Sequence, residues 1–225
     1  MPHDRFYVEN LLHPQFSEEE FKHFKVMRIR EGETFELVNG KGELAIASYE
    51  KNNLQIHSIT KEKEPVSLRI AQAIPKINRL DVILEKGCEL GMTELILYPG
   101  DLSEKTDLSP NQLKRAHSIL LSAMKQSGRL YLPKLTLGDS ISTLKSLPTP
   151  TFFGDTNPAA PSLLSLVKPP LNHVLFYIGP EKGFSHKEVD HLITLGAKGV
   201  KLSPHILRTD TAPLAALAIL SSALN

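Results

Sequence analysis

Two segments of this 225-residue chain carry residue types and spacings suited to holding a small ligand. The first is Tyr177-Ile178-Gly179-Pro180-Glu181-Lys182-Gly183-Phe184-Ser185-His186-Lys187-Glu188. An apolar strand runs into a Gly-Pro-x-x-Gly turn and then a helix that Ser185 caps, with Glu188 at the capping-box position. Backbone amides therefore converge at the carboxyl end of a strand, where open α/β sheets bind their ligands. The spacing matches neither the Gly-x-Gly-x-x-Gly dinucleotide fingerprint nor the phosphate loop ending in Gly-Lys-Ser/Thr. Taken alone, the segment also fits a purely structural connection.

The second segment is Leu202-Ser203-Pro204-His205-Ile206-Leu207-Arg208-Thr209-Asp210-Thr211-Ala212-Pro213, again a strand leading through a turn to a helix. Thr209 is placed to cap that helix and Asp210 suits its dipole, which leaves Arg208 at the mouth of the same sheet edge. A guanidinium fork suits phosphate or carboxylate. By itself Arg208 fits a surface salt bridge equally well.

The elements that must position these segments follow from periodicity. Strands are expected at 5–8, 34–38 and 43–49, with Asn39-Gly40 supplying a hairpin turn, and a helix at 17–26 with Ser17 as cap and Glu20 reaching back to it. This describes a small barrel. The charged stretch Thr60-Lys61-Glu62-Lys63-Glu64-Pro65 then separates it from a chain of different rhythm, so domains are expected at 1–65 and 66–225. Beyond it, strands at 66–74, 94–98, 151–153, 174–178 and 199–202 alternate with helices at 78–90, 110–127 and 186–195. Ser109-Pro110-Asn111-Gln112 opens the second of these helices with a capping box, and Ala159 to Pro170 reads as a short helix and a loop. The alternation predicts a mainly parallel sheet covered on both faces. The last helix, Ala212 to Leu224, is apolar on nearly every side and needs burial in the domain or between two subunits.

Bulk properties exclude some classes. No apolar run approaches the roughly 20 residues of a membrane span, and the start at Met1-Pro2-His3-Asp4-Arg5 lacks the apolar core of a secretory signal, which points to the cytoplasm. The single cysteine, Cys88, cannot pair within the chain and sits among helix-packing residues. His13, His57, His117 and His205 lack metal-ligand spacing, so no metal is expected. A net charge of +1 neither demands nor excludes a polyanion, because phosphate binding needs only a local basic patch. Lys22, Lys25, Arg28 and Arg30 form one candidate patch, which a solvated charged face would equally explain.

Ile178-Gly179-Pro180-Glu181-x-Gly183-Phe184-Ser185-x-x-Glu188 followed by Ile206-Leu207-Arg208-Thr209-Asp210-Thr211-Ala212 resembles the paired signatures of the ribosomal RNA small subunit methyltransferase E family, in the SPOUT superfamily. Lys86-Gly87-Cys88-Glu89-Leu90-Gly91, Gln126-Ser127-Gly128-Arg129 and the stretch from His23 to Gly32 resemble further motifs of that family, in the same order. The resemblance implies a PUA-like RNA-binding barrel followed by an α/β domain with a deep trefoil knot. It implies S-adenosylmethionine wrapped by Ile178, Gly179, Pro180, Gly183, Leu202, Ile206, Leu207 and Thr209, with Gly154 beside them, and methyl transfer to N3 of a uridine in small-subunit (16S) ribosomal RNA. Arg208 is the candidate for stabilising negative charge on the uracil carbonyls, and Glu181 for proton removal or loop anchoring. Arg129 joins the basic patch as an RNA contact. The implied partners are the ribosomal RNA or the assembled small subunit, and a second copy in a homodimer.

Two positions depart from the family pattern: Lys182 stands where glycine is usual, and Asp210 where glutamate is usual. A non-catalytic ribosome-associated RNA-binding protein, or a SPOUT enzyme acting on another RNA, are the competing expectations.

Overall fold

Strand alternation in the first sixty positions is stabilised by an aromatic core. The structure, a computed structural model, describes residues 4–224. It divides into two units, one of Met1–Pro65 with Leu121–Leu132 and one of Val66–Leu120 with Pro133–Asn225. In the first, β1 (Arg5–Tyr7), β2 (Thr34–Val38), β3 (Glu43–Glu50) and β4 (Asn53–Lys61) form a sheet in that order, β1 parallel to β2 and the rest antiparallel. Helix α1 (Glu18–Met27) lays Phe24 against Phe6 and Phe35, whose ring centroids sit 5.4 Å apart in edge-on pairs.

Two details of this unit differ from the sequence expectation. Strand β4 has no counterpart in the sequence pattern, and Thr60 and Lys61, expected in a linker, are its last residues. Most of its side chains are exposed, so little apolar alternation marks it; its turn uses Lys51 and Asn52, both at positive φ, to reverse the chain from β3. Ser17 does cap α1, accepting from the Glu20 amide at 3.2 Å, but the Glu20 carboxylate pairs with Lys125 instead of reaching back.

The second unit contains β5 (Ser67–Ala73), α2 (Ile77–Glu89), β6 (Glu94–Tyr98), α3 (Pro110–Gln126, whose end belongs to the first unit), β7 (Lys134–Leu137), β8 (Thr151–Gly154), α4 (Leu163–Leu166), β9 (His173–Ile178), α5 (His186–Thr194), β10 (Lys198–Val200) and α6 (Thr211–Leu224). The sheet order is β10-β8-β9-β5-β6-β7 and every pairing is parallel. Strand β7 was not read from the sequence, and β10 ends at Val200 rather than Leu202. The capping box of α3 is formed, with Gln112 Oε1 accepting from the Ser109 amide at 3.0 Å and Ser109 Oγ from the Gln112 amide at 3.3 Å.

Side chains alternate across this sheet. Ala71, Ala73, Leu175, Tyr177 and Phe153 pack with Leu192 of α5 and Ile141. On the other face α6 packs against α2, β5 and β9, burying Pro213, Ala216, Leu217 and Leu220 while Ala218 and Ser222 stay exposed. Cys88 is fully buried in α2. Among the described residues no helix is long and apolar enough to cross a membrane, and no group of His, Cys, Asp and Glu could hold a metal ion.

Glu20 is only 5% exposed, so removing its cation strands a buried carboxylate. Lys125→Met is expected to destabilise the protein by about 3 kcal/mol, and adding Glu20→Gln should recover much of the loss. Urea denaturation of the single and double variants measures both; equal midpoints for wild type and Lys125→Met would contradict the assignment.

Candidate active site

At the carboxyl ends of β8, β9 and β10 the chain opens a cavity of about 950 Å³. Its walls include residues 153–156 at the end of β8, 178–184 at the end of β9 and 200–209 at the end of β10, with Arg79 from α2, Val189 from α5 and Ala212 from α6. Every cofactor candidate read from the sequence lines it: Gly154, Ile178, Gly179, Pro180, Gly183, Leu202, Ile206, Leu207 and Thr209. So do Glu181 and Arg208. The basic candidates Lys22, Lys25, Arg28 and Arg30 instead lie exposed on α1 and the segment after it, with Lys25 Nζ 4.4 Å over the Phe21 ring. Arg129, half-buried in the turn after α3, belongs to the same first unit, and none of these five lines the cavity.

The loop after β9 is held by its backbone. The Gly183 amide donates to the Pro180 carbonyl at 2.9 Å, and Gly183 itself takes φ +79°, a conformation that disfavours a side chain. At Gly179 a Cβ would stand 3.1 Å from the Phe184 amide nitrogen, so these two backbone stretches approach closely enough that a side chain there would have to displace its neighbour. Helix α5 then starts with the capping box expected from sequence, Ser185 against Glu188. Asp101 reinforces it, accepting from Ser185 Oγ at 2.6 Å while its amide donates to Glu188 Oε1 at 3.1 Å.

Two successive carbonyls at the end of β9 receive buried side-chain donors. Tyr98 Oη donates to the Ile178 carbonyl at 3.0 Å. Thr209 Oγ1 donates to the Gly179 carbonyl at 3.1 Å and accepts from Gln72 Nε2 at 3.0 Å. Thr209 therefore does not cap α6, which begins at Thr211; its hydroxyl joins the two loops that face each other across the cavity. Burial raises the Tyr98 phenol well above its ordinary value, helped by Glu188, so it stays a donor. Burial also pushes the neighbouring Tyr177 phenol up to about 12, partly offset by Arg69.

The charged groups divide into paired and unpaired. Arg79 Nη1 holds Glu181 Oε1 at 3.3 Å. Lys201 Nζ donates to the Pro158 carbonyl at 2.8 Å. Arg208 is exposed and has no carboxylate partner among the described residues, and Lys182 is likewise exposed, its side chain outside the packed core. Arg79, Gln72 and Tyr98 were not singled out from sequence. Gln72 did offer a signal, an amide amid the apolar strand Leu68-Arg69-Ile70-Ala71-Gln72-Ala73-Ile74.

The family model for an RNA methyltransferase domain matches residues 62–221, which contain the whole cavity, and that for an RNA methyltransferase PUA domain matches residues 16–57. A ribosomal RNA small subunit methyltransferase E of Synechocystis sp. is 30% identical over 217 residues, covering 89% of this chain and 70% of the relative. The chain belongs to the ribosomal RNA small subunit methyltransferase E family. A second member, from Bacillus subtilis, is 29% identical over 90% of this chain and 87% of its own length. The crystal structure of the Neisseria gonorrhoeae member bound to S-adenosyl methionine superposes with a TM-score of 0.85 at 28% identity, covering 98% of this chain and 97% of that one. Against that family's pattern, the Lys182 departure lies on an exposed loop position, and the close approach at Gly179 and the positive φ of Gly183 are in place beside it.

Tyr98→Phe removes the donor to a buried carbonyl and leaves Ile178 unsatisfied. A loss of about 2 kcal/mol is expected by urea denaturation. Unchanged stability would show that the carbonyl finds another donor.

Proposed function

We propose that this chain transfers a methyl group from S-adenosylmethionine to N3 of a uridine in small-subunit (16S) ribosomal RNA. The observation that carries the proposal is the cavity at three parallel strand ends, whose walls lie within the segment aligned to a relative crystallised with S-adenosyl methionine. Its volume, about 950 Å³, lies in the range of small-molecule sites, with backbone at Gly183 open to close approach. Leu202, Ile206 and Leu207 give apolar contact for an adenine; Ile206, 81% exposed, is apolar surface available to such a ring. Gly154, Ile178, Gly179, Pro180, Gly183 and Thr209 complete the set that would hold the methyl donor.

Bound there, the sulfonium supplies an electrophilic methyl. Uridine N3 carries a proton, and its loss to solvent or a base frees the electron pair that forms the N3–CH3 bond as the S–CH3 bond breaks, giving S-adenosylhomocysteine. Arg208, at the cavity wall and with no competing carboxylate among the described residues, would stabilise the negative charge that deprotonation puts on the uracil oxygens. Glu181, engaged by Arg79, anchors the loop after β9. The protein thus contributes alignment and charge stabilisation.

The division of labour would set residues 1–65 as a PUA-like RNA-binding barrel and 66–225 as the methyltransferase domain, except that Leu121–Leu132 belongs with the first unit. Lys22, Lys25, Arg28, Arg30 and Arg129 would meet RNA phosphates. The trefoil knot is proposed from the family resemblance, and the incompletely buried apolar helix α6 supports a homodimer. A cytoplasmic setting follows from a ribosomal substrate.

Incubation of the protein with S-adenosylmethionine and either unmodified small subunits or their free RNA, then nuclease digestion and mass spectrometry, tests this. N3-methyluridine in ribosomal RNA is expected, falling about 100-fold or more in rate in Arg208→Ala. Methylation confined to transfer RNA, or none with any RNA, would contradict the proposal.

A further inference from the structure

We infer that Gln72 is a positioning residue for the methyl-donor site, acting through Thr209 on the Gly179 carbonyl to hold the two donor-binding loops in register. The inference rests on the reading of the cavity as that site. Gln72 is fully buried in the central strand and lines no part of the cavity. Its Nε2 donates to the Ala73 carbonyl at 3.1 Å and to Thr209 Oγ1 at 3.0 Å.

This arrangement has one direction. Inverting the amide would set Oε1 against the Ala73 carbonyl, acceptor against acceptor, so Nε2 must face both partners. Thr209 has a single hydroxyl proton; receiving a hydrogen bond from Gln72, it gives that proton to Gly179 at 3.1 Å. Residues 137 positions apart in sequence are thereby linked, and the loop after β10 is tied to the loop after β9 at one point. Both Thr209 and Gly179 line the cavity.

Stability alone does not explain the choice of residue. Gln72 Oε1 is buried with no partner among the described residues, and an unmet buried acceptor costs free energy that an apolar side chain of similar shape would avoid. A position that bears such a cost inside a parallel sheet is one where the amide's other contacts matter for something besides folding.

Titration calorimetry with S-adenosylmethionine, run beside urea denaturation, separates the two roles in Gln72→Met, Thr209→Val and the double variant. Each single variant is expected to raise the donor Kd about tenfold, the scale of one lost hydrogen bond, and the double variant little more, because one relay is broken in all three. The double variant leaves the Ala73 and Gly179 carbonyls without these donors, so it should unfold below the wild-type midpoint, by little more than Thr209→Val alone. Thr209→Ser, which keeps the hydroxyl, should recover most of the affinity that Thr209→Val loses. Donor Kd values within twofold of wild type, or losses that add in the double variant, would overturn the inference while leaving the site reading intact. If Gln72→Met does not fold, Gln72→Asn, whose amide is one methylene too short to reach Thr209, replaces it on the same criterion. Wild type that binds no donor sinks the site reading and this inference together.

Discussion

A parallel strand that ends must dispose of carbonyls its neighbours no longer satisfy, and a cavity opened there exposes the problem. In this fold β9 is the strand that meets it. Its last carbonyl, at Ile178, and the next one, at Gly179, receive the Tyr98 and Thr209 hydroxyls, one from β6 and one from the loop after β10. The loop geometry that follows depends on those two bonds. With the carbonyls fixed, the chain can turn tightly through Pro180 to Gly183 and start α5 under a complete capping box. Backbone held this way forms one wall of the cavity, and at Gly179 it passes so near Phe184 that a Cβ would stand 3.1 Å from the amide nitrogen.

Most of the element order was legible because it rests on local signals. Capping pairs such as Ser109 with Gln112 and Ser185 with Glu188 act within four residues, and both formed. Apolar stripes placed α2, and continuous apolar runs placed β6 and β9. What failed was nonlocal or weakly apolar. Strand β4 is mostly exposed and β7 has only four residues, so neither has a pattern to read. Glu20 has a strong local option, the Ser17 box, which the long-range ion pair with Lys125 overrides. Thr209 has the composition of a cap, yet its hydroxyl is claimed by Gln72 and Gly179.

The candidate site was read as two separate segments, and their convergence on one cavity depends on strand order. β8, β9 and β10 are adjacent in the sheet although they are not consecutive pairings with β5, β6 and β7, which lie to the other side. Sequence spacing carries no information about that order. Resemblance to the family supplied the pairing of the segments, and the buried groups behind them, Gln72 and Tyr98, carry no motif that would single them out.

The central claim is that the loops after β9 and β10 together bind the methyl donor. Hydrogen exchange with and without S-adenosylmethionine tests it most directly. Slower exchange in residues 178–184 and 202–209, with residues 4–65 unaffected, is the expected result. Protection confined to the first unit, or unchanged exchange in both loops at saturating donor, would contradict it.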